Sequence, residues 1–70
     1  MKLSARNQLK GTIKSITKGA VNSEVLIELT DGVVIASIIT NGAVENLDLK
    51  VGESAYAIVK ATEVLIGVDD

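Results

Sequence analysis

The residues best suited to chemistry in this 70-residue chain form a short polar stretch near its start, Ser4-Ala5-Arg6-Asn7-Gln8. A hydroxyl, a guanidinium and two carboxamides follow one another there in a sequence that is otherwise largely apolar. The Arg6 guanidinium offers a planar fork of N–H donors, which suits a small oxyanion. If the stretch begins a strand, Ser4 and Arg6 project from one face, because successive side chains alternate. A solvated strand start is the competing interpretation.

Two later positions add donors of the same kind. Thr40 ends a central apolar segment, and Lys60 ends a later one. A tetrahedral dianion needs several donors that arrive from different directions, and the charge-assisted ones are the strongest. Ser4, Arg6, Thr40 and Lys60 together supply two hydroxyls and two positive charges. In a small barrel they can meet at strand ends of one chain or across a boundary between chains, and both arrangements stay open. Taken without Arg6, Lys60 is better explained as a solvated lysine at a strand end.

The amino-acid composition argues against several other classes of function. The chain has no His and no Cys, which removes the usual triads, thiolate nucleophiles and metal-bound water. We therefore predict a protein that is not an enzyme and has no directly coordinated metal cation. The net charge is −2 and Tyr56 is the single aromatic residue, so the basic groove and stacking platform of a nucleic-acid binder are missing. No apolar run reaches membrane-spanning length and no secretion signal is visible, which predicts a cytoplasmic protein without membrane contact.

Periodicity predicts the elements that must position these residues. Alternating and apolar segments indicate five strands, at about 3–16, 25–29, 33–40, 54–60 and 64–68. Thr30-Asp31-Gly32 is a hairpin signal, and Thr40 or Asn41 can cap a short helix at 41–47 in which Val44 and Leu47 face inward. The fold class is therefore all-β, a five-stranded OB-type small barrel with one short helix after strand three, and residues 1–70 form a single domain.

The first predicted turn is a second, weaker candidate for anion binding. It consists of Lys18, Gly19, Ala20, Val21, Asn22 and Ser23. Backbone N–H groups in such a turn can form an anion-binding concavity. A plain hairpin connection explains the same residues.

Self-association is predicted from size and hydrophobicity. A chain this short buries only about 60% of its unfolded surface, yet 47% of its residues are hydrophobic and no disulfide is available. Segment 33–40 is largely apolar on both faces, so one face can meet the core and the other a neighbouring subunit.

The polar motifs, their spacing and the chain length resemble the molbindins, which are small free-standing Mop (TOBE-type) domains. The resemblance rests on Ser4-Ala5-Arg6-Asn7-Gln8-Leu9-Lys10-Gly11, Thr40 and Lys60-Ala61-Thr62, and it covers essentially the whole chain. It implies that Ser4, Arg6, Thr40 and Lys60 surround molybdate at a boundary between two chains, with Ala5 and Ala61 contributing backbone N–H groups. Some relatives carry serine where this chain has Ala61, so one hydroxyl contact is missing here.

The resemblance also implies an assembly and a role. Molbindins form hexamers, trimers of dimers, with further oxyanion sites near symmetry axes, for which residues 18–23 are the candidates. The implied function is intracellular storage and homeostasis of molybdenum as molybdate or tungstate, with no organic cofactor. A regulatory or assembly module acting through a partner, or an OB-type nucleic-acid-binding module, is the alternative.

Overall fold

The computed structural model describes all 70 residues, as four strands, one α-helix and one 3-10 turn. The strands are β1 (Asn7–Lys18), β2 (Asn22–Leu29), β3 (Val34–Thr40) and β4 (Ser54–Val59). The helix α1 (Asn41–Asn46) follows β3, and the 3-10 turn Ala61–Glu63 follows β4. All strand pairs are antiparallel and the sheet has the order β3-β2-β1-β4. This curled sheet with one helix after β3 confirms the OB-type fold class.

Strand β1 is long enough to pair with both β4 and β2. Its first half pairs with β4, from Asn7 opposite Val59 onward, and its second half pairs with β2. The β1–β2 register shifts between Ile13 and Ser15, and such a bulge bends a strand and increases its twist. Gly11 lies where both partners meet β1. A Cβ atom at this position would lie 2.6 Å from the Glu28 carbonyl oxygen, so glycine allows the close approach.

The core is small and lies on one side of this sheet. Its buried hydrophobic residues are Ile13, Val25, Ile27 and Ala57. Val25 and Ile27 are two residues apart on β2, as expected for side chains that share one face of a strand. Only 5 of the 70 residues are buried, so much aliphatic surface stays exposed in the single chain.

The turns and the helix follow their sequence signals. Gly32 has φ of 86° in the β2–β3 hairpin, a left-handed conformation that glycine adopts without a steric penalty. Thr40 caps α1, because its Oγ1 accepts a hydrogen bond from the Ala43 N–H at 3.0 Å. Val44 packs against the core as predicted. Leu47 remains largely exposed, since it follows the helix as its C-cap and does not extend the inward face.

Two strand predictions need correction. Residues 64–68 do not form a fifth strand: they are exposed and pair with no neighbour in this chain. Their apolar pattern marks them as strand-like, but a strand also requires a partner edge. The first strand begins at Asn7, so Ser4 to Arg6 precede it and strand alternation does not orient them.

No helix of the chain is long and apolar enough to cross a membrane.

Candidate oxyanion site

The two polar motifs come together in a shallow pocket at one end of the sheet. The pocket is lined by Ser4, Ala5, Arg6, Ile58, Lys60, Ala61 and Thr62. The sheet register explains this placement, because Asn7 at the start of β1 is opposite Val59 at the end of β4. Residues just before β1 and just after β4 are therefore neighbours. Five of the six residues predicted for the primary site line this pocket.

The pocket is positively charged. Arg6 and Lys60 are both exposed, and neither forms an ion pair, since the two ion pairs of the chain are Lys14–Glu28 and Lys50–Asp48. No acidic side chain lines the pocket. Two cationic groups with no carboxylate between them are arranged to receive an anion from solvent.

Backbone N–H groups of the 3-10 turn add neutral donors to the same pocket. The turn is closed by bonds from Glu63 N to Lys60 O at 2.9 Å and from Val64 N to Ala61 O at 3.3 Å. The N–H groups of Ala61 and Thr62, at the start of the turn, donate to no acceptor within the chain. Such leading N–H groups are the usual unsatisfied donors of a helical turn. Ala61 can therefore contribute to the site through its backbone.

Thr62 is a further lining residue to which the sequence motif assigned no role, and Gln8 supports the pocket from outside its lining. The Gln8 Nε2 donates to the Ala5 carbonyl oxygen at 2.7 Å, which holds the Ser4 to Arg6 stretch against the start of β1. Thr62 brings a hydroxyl to the pocket wall. Both residues lie within the polar motifs at 4–8 and 60–62, and their polar side chains are the sequence feature that could have identified them.

Thr40 lies elsewhere in the single chain. It ends β3 opposite Asn22, and the adjacent Ser23 is opposite Lys18 at the far end of β1. Most of the length of β1 therefore separates Thr40 from Arg6. The Thr40 hydroxyl oxygen accepts the helix-capping bond, so its O–H remains available as a donor.

Residues 18–23 form the predicted hairpin, which Asn41 fastens to the start of α1. The Gly19 carbonyl accepts from Asn41 Nδ2 at 3.0 Å, and the Val21 carbonyl accepts from the Asn41 N–H at 2.9 Å. The N–H groups of Ala20 and Val21 donate to no acceptor within the chain. Two carbonyls of the hairpin are therefore bound to the start of α1, and two of its N–H groups have no acceptor within the chain.

The fold and the pocket define a class: a small OB-type domain with an exposed pocket that two cationic side chains line. The TOBE domain family model matches residues 3–66. The "Probable molybdenum-pterin-binding protein" of Haemophilus influenzae is 52% identical over 69 residues, which cover 99% of this chain and 100% of that protein. "Molybdenum-pterin-binding protein 2" of Clostridium pasteurianum is 47% identical, over 94% of this chain and 97% of that protein. The chain belongs to the TOBE domain family, as a member of its molbindin (Mop) group.

Solved structures agree with this assignment. The molybdate-binding protein of Sporomusa ovata superposes with a TM-score of 0.90 at 38% identity, over 97% of this chain and 100% of that one. The cytoplasmic molybdate-binding protein ModG, in a form with molybdate bound, superposes with a TM-score of 0.93 at 51% identity. The match covers 99% of this chain and 49% of the ModG chain.

Proposed function

We propose that this protein binds molybdate in the pocket formed by Ser4, Ala5, Arg6, Lys60 and Ala61, with Thr40 supplied by another copy. The observation that carries the proposal is the meeting of two unpaired cationic side chains in a pocket that no acidic side chain lines. Relatives of the same length are named for molybdenum-pterin binding, and structural neighbours for molybdate binding. The chain is proposed to act as a single domain.

The donor set matches a tetrahedral dianion. Arg6 and Lys60 offset its two negative charges, while the Ser4 hydroxyl and the N–H groups of Ala5 and Ala61 approach from other directions. Molybdenum bound as an oxyanion requires hydrogen-bond donors and no metal-ligating side chain. The chain brings no three acidic side chains together that would instead hold a cation.

An oligomer is part of the proposal, because one chain cannot complete the site. Thr40 is remote from Arg6 within one chain, so its hydroxyl reaches the same anion only from a second copy. We propose a homohexamer, a trimer of dimers, in which residues 18–23 form a second oxyanion site near a symmetry axis. The free N–H groups of Ala20 and Val21 support that second site.

The proposed role is intracellular storage and homeostasis of molybdenum as molybdate or tungstate, with neither catalysis nor an organic cofactor. A domain that offers only hydrogen-bond donors can hold and release the anion. A regulatory or assembly role through a partner is the alternative within the family. An OB-type nucleic-acid-binding role is less well supported, because Tyr56 is the single aromatic residue and a stacking platform requires several.

Native mass spectrometry of the full chain tests the proposal. Protein equilibrated with molybdate should appear as an oligomer that carries molybdate, and tungstate should replace it. Sulfate and chloride at equal ionic strength serve as the matched anions. An absence of bound molybdate at millimolar concentration, in protein whose circular dichroism shows a folded sheet, would exclude the function.

A further inference from the structure

Three backbone carbonyls of residues that line the oxyanion pocket are already engaged within the chain. The Ala5 carbonyl accepts from Gln8 Nε2 at 2.7 Å. The carbonyls of Lys60 and Ala61 each accept from the N–H group three residues further on, at 2.9 and 3.3 Å. Each of these oxygens therefore has one of its two acceptor positions filled by a donor of the protein itself.

The side-chain donors of the same pocket are free. The hydroxyls of Ser4 and Thr62 make no hydrogen bond within the chain, and neither Arg6 nor Lys60 forms an ion pair. No carboxylate contributes an acceptor, because Glu63 follows Thr62 in the chain but does not line the pocket. The pocket therefore presents more free donors than free acceptors.

This imbalance distinguishes oxyanions by their protonation. Molybdate, tungstate and sulfate carry no proton at neutral pH, so all of their oxygens accept hydrogen bonds. Hydrogenphosphate has the charge and nearly the size of sulfate, but one of its oxygens is an O–H group that must donate. A hydroxyl of Ser4 or Thr62 that turned to accept this proton would direct its own hydrogen away from the anion. A ligand group without a partner lowers affinity, and here the penalty falls on the protonated ligand alone.

We propose that the pocket selects tetrahedral oxyanions that carry no proton and rejects the hydrogenphosphate class, which includes hydrogenarsenate. The inference rests on the proposed function and narrows the class of ligand. Gln8 is a positioning residue for this choice, since it lies outside the pocket lining and acts through the Ala5 carbonyl that it occupies. Its side chain is exposed and makes no other hydrogen bond within the chain.

Competition for bound molybdate tests the selection in the full chain. Molybdate is held near its own dissociation constant, at a mildly alkaline pH where inorganic phosphate is mainly the hydrogenphosphate dianion, and sulfate or phosphate is added at equal ionic strength. Hydrogenphosphate should compete at least about tenfold less well than sulfate, because one polar group is left unpaired. Equal competition by the two anions would overturn the proposal. Failure of both to compete would also overturn it, because selection would then follow size and not protonation.

Two variants assign the selection to particular groups. Gln8→Leu removes the donor to the Ala5 carbonyl, so this oxygen can accept from hydrogenphosphate, and the two anions should compete within about threefold of each other. Thr62→Asp brings a carboxylate acceptor into the lining, so it should weaken sulfate at least about tenfold more than hydrogenphosphate.

The control and the contradicting outcome concern the ratio of the two affinities. Val51→Asp adds the same charge in the turn before β4, outside the pocket, and should keep the wild-type ratio. A purely structural role for Gln8 would lower both affinities and leave their ratio unchanged. Wild-type ratios in both Gln8→Leu and Thr62→Asp would overturn the proposal.

The proposed function and the selection fail at different steps of this experiment. The titration with molybdate precedes any competitor, so an absence of molybdate binding refutes the proposed function at that step. Bound molybdate that hydrogenphosphate displaces as well as sulfate does would refute the selection and leave molybdate binding standing.

Discussion

The buried Ser23 hydroxyl donates a hydrogen bond to the Asn41 Oδ1 at 2.5 Å, and this bond joins the β1–β2 hairpin to the start of α1. Ser23 is only 2% exposed, and it is the single buried polar residue of the chain. The other end of the Asn41 carboxamide donates to the Gly19 carbonyl. The Asn41 side chain therefore accepts from the Ser23 hydroxyl and donates to the Gly19 carbonyl, two groups of the same hairpin.

Replacement of Asn41 by alanine should destabilise the protein. The Ser23 hydroxyl would then be left unpaired in a buried position, which costs about 1–3 kcal/mol. Urea unfolding at fixed protein concentration measures the change. The double variant Ser23→Ala/Asn41→Ala should recover part of the loss, because the buried hydroxyl is removed with its partner. Equal destabilisation by the single and double variants would show that the unpaired hydroxyl is not the cause.

Removal of either positive charge from the pocket should weaken molybdate binding. Arg6→Ala and Lys60→Ala should each lower the affinity by roughly ten- to hundredfold, the range expected for a lost charge-assisted contact. Arg6→Lys should recover only part of the loss, because it keeps the charge and loses the planar fork. Calorimetric titration measures the affinities, with Lys14→Ala as the control, since Lys14 is exposed on β1 and outside the pocket. Unchanged affinity in both alanine variants would exclude this pocket as the site.

Substitutions of Thr40 should separate its cap from its proposed anion contact. Thr40→Val removes the oxygen that accepts from the Ala43 N–H, and loss of such a cap costs about 1 kcal/mol. Thr40→Asp keeps an acceptor for the cap, but it offers no donor and adds a negative charge. We therefore expect Thr40→Asp to stay close to wild-type stability in urea and to bind molybdate at least about tenfold more weakly. Equal molybdate affinity in wild type and Thr40→Asp would remove Thr40 from the proposed site.

Molybdate should stabilise the assembly if the site is shared between copies. A ligand that binds only the assembled form stabilises it by about 2.7 kcal/mol per site at a hundredfold excess over its dissociation constant. Molybdate should therefore raise the thermal midpoint and oppose dissociation in a sedimentation dilution series. Chloride at equal ionic strength is the control, because salt alone reduces repulsion in a protein with net charge −2. A monomer that binds molybdate with full affinity would contradict the shared site.

Local structure and the chemical character of the motifs can be predicted from the sequence. Alternating and apolar segments predicted five strands, of which four are paired. Thr30-Asp31-Gly32 predicted the β2–β3 hairpin, and Thr40 was one of two residues expected to cap α1. These features depend on neighbours within a few residues, so the chain encodes them locally. The sequence also identifies Arg6 and Lys60 as cationic hydrogen-bond donors, because this property belongs to the residue types and does not depend on the fold.

Which of these residues are neighbours depends on the packing of the whole sheet. The antiparallel register of β1 and β4 brings Arg6 and Lys60 into one pocket, whereas Thr40 ends β3 at the opposite end of β1. Gly11 and the bulge between Ile13 and Ser15 set the bend that places both partners on β1. The 64–68 segment has the composition of a strand without an intrachain partner, because hydrogen-bond pairing is a property of two segments and is not encoded in either one alone.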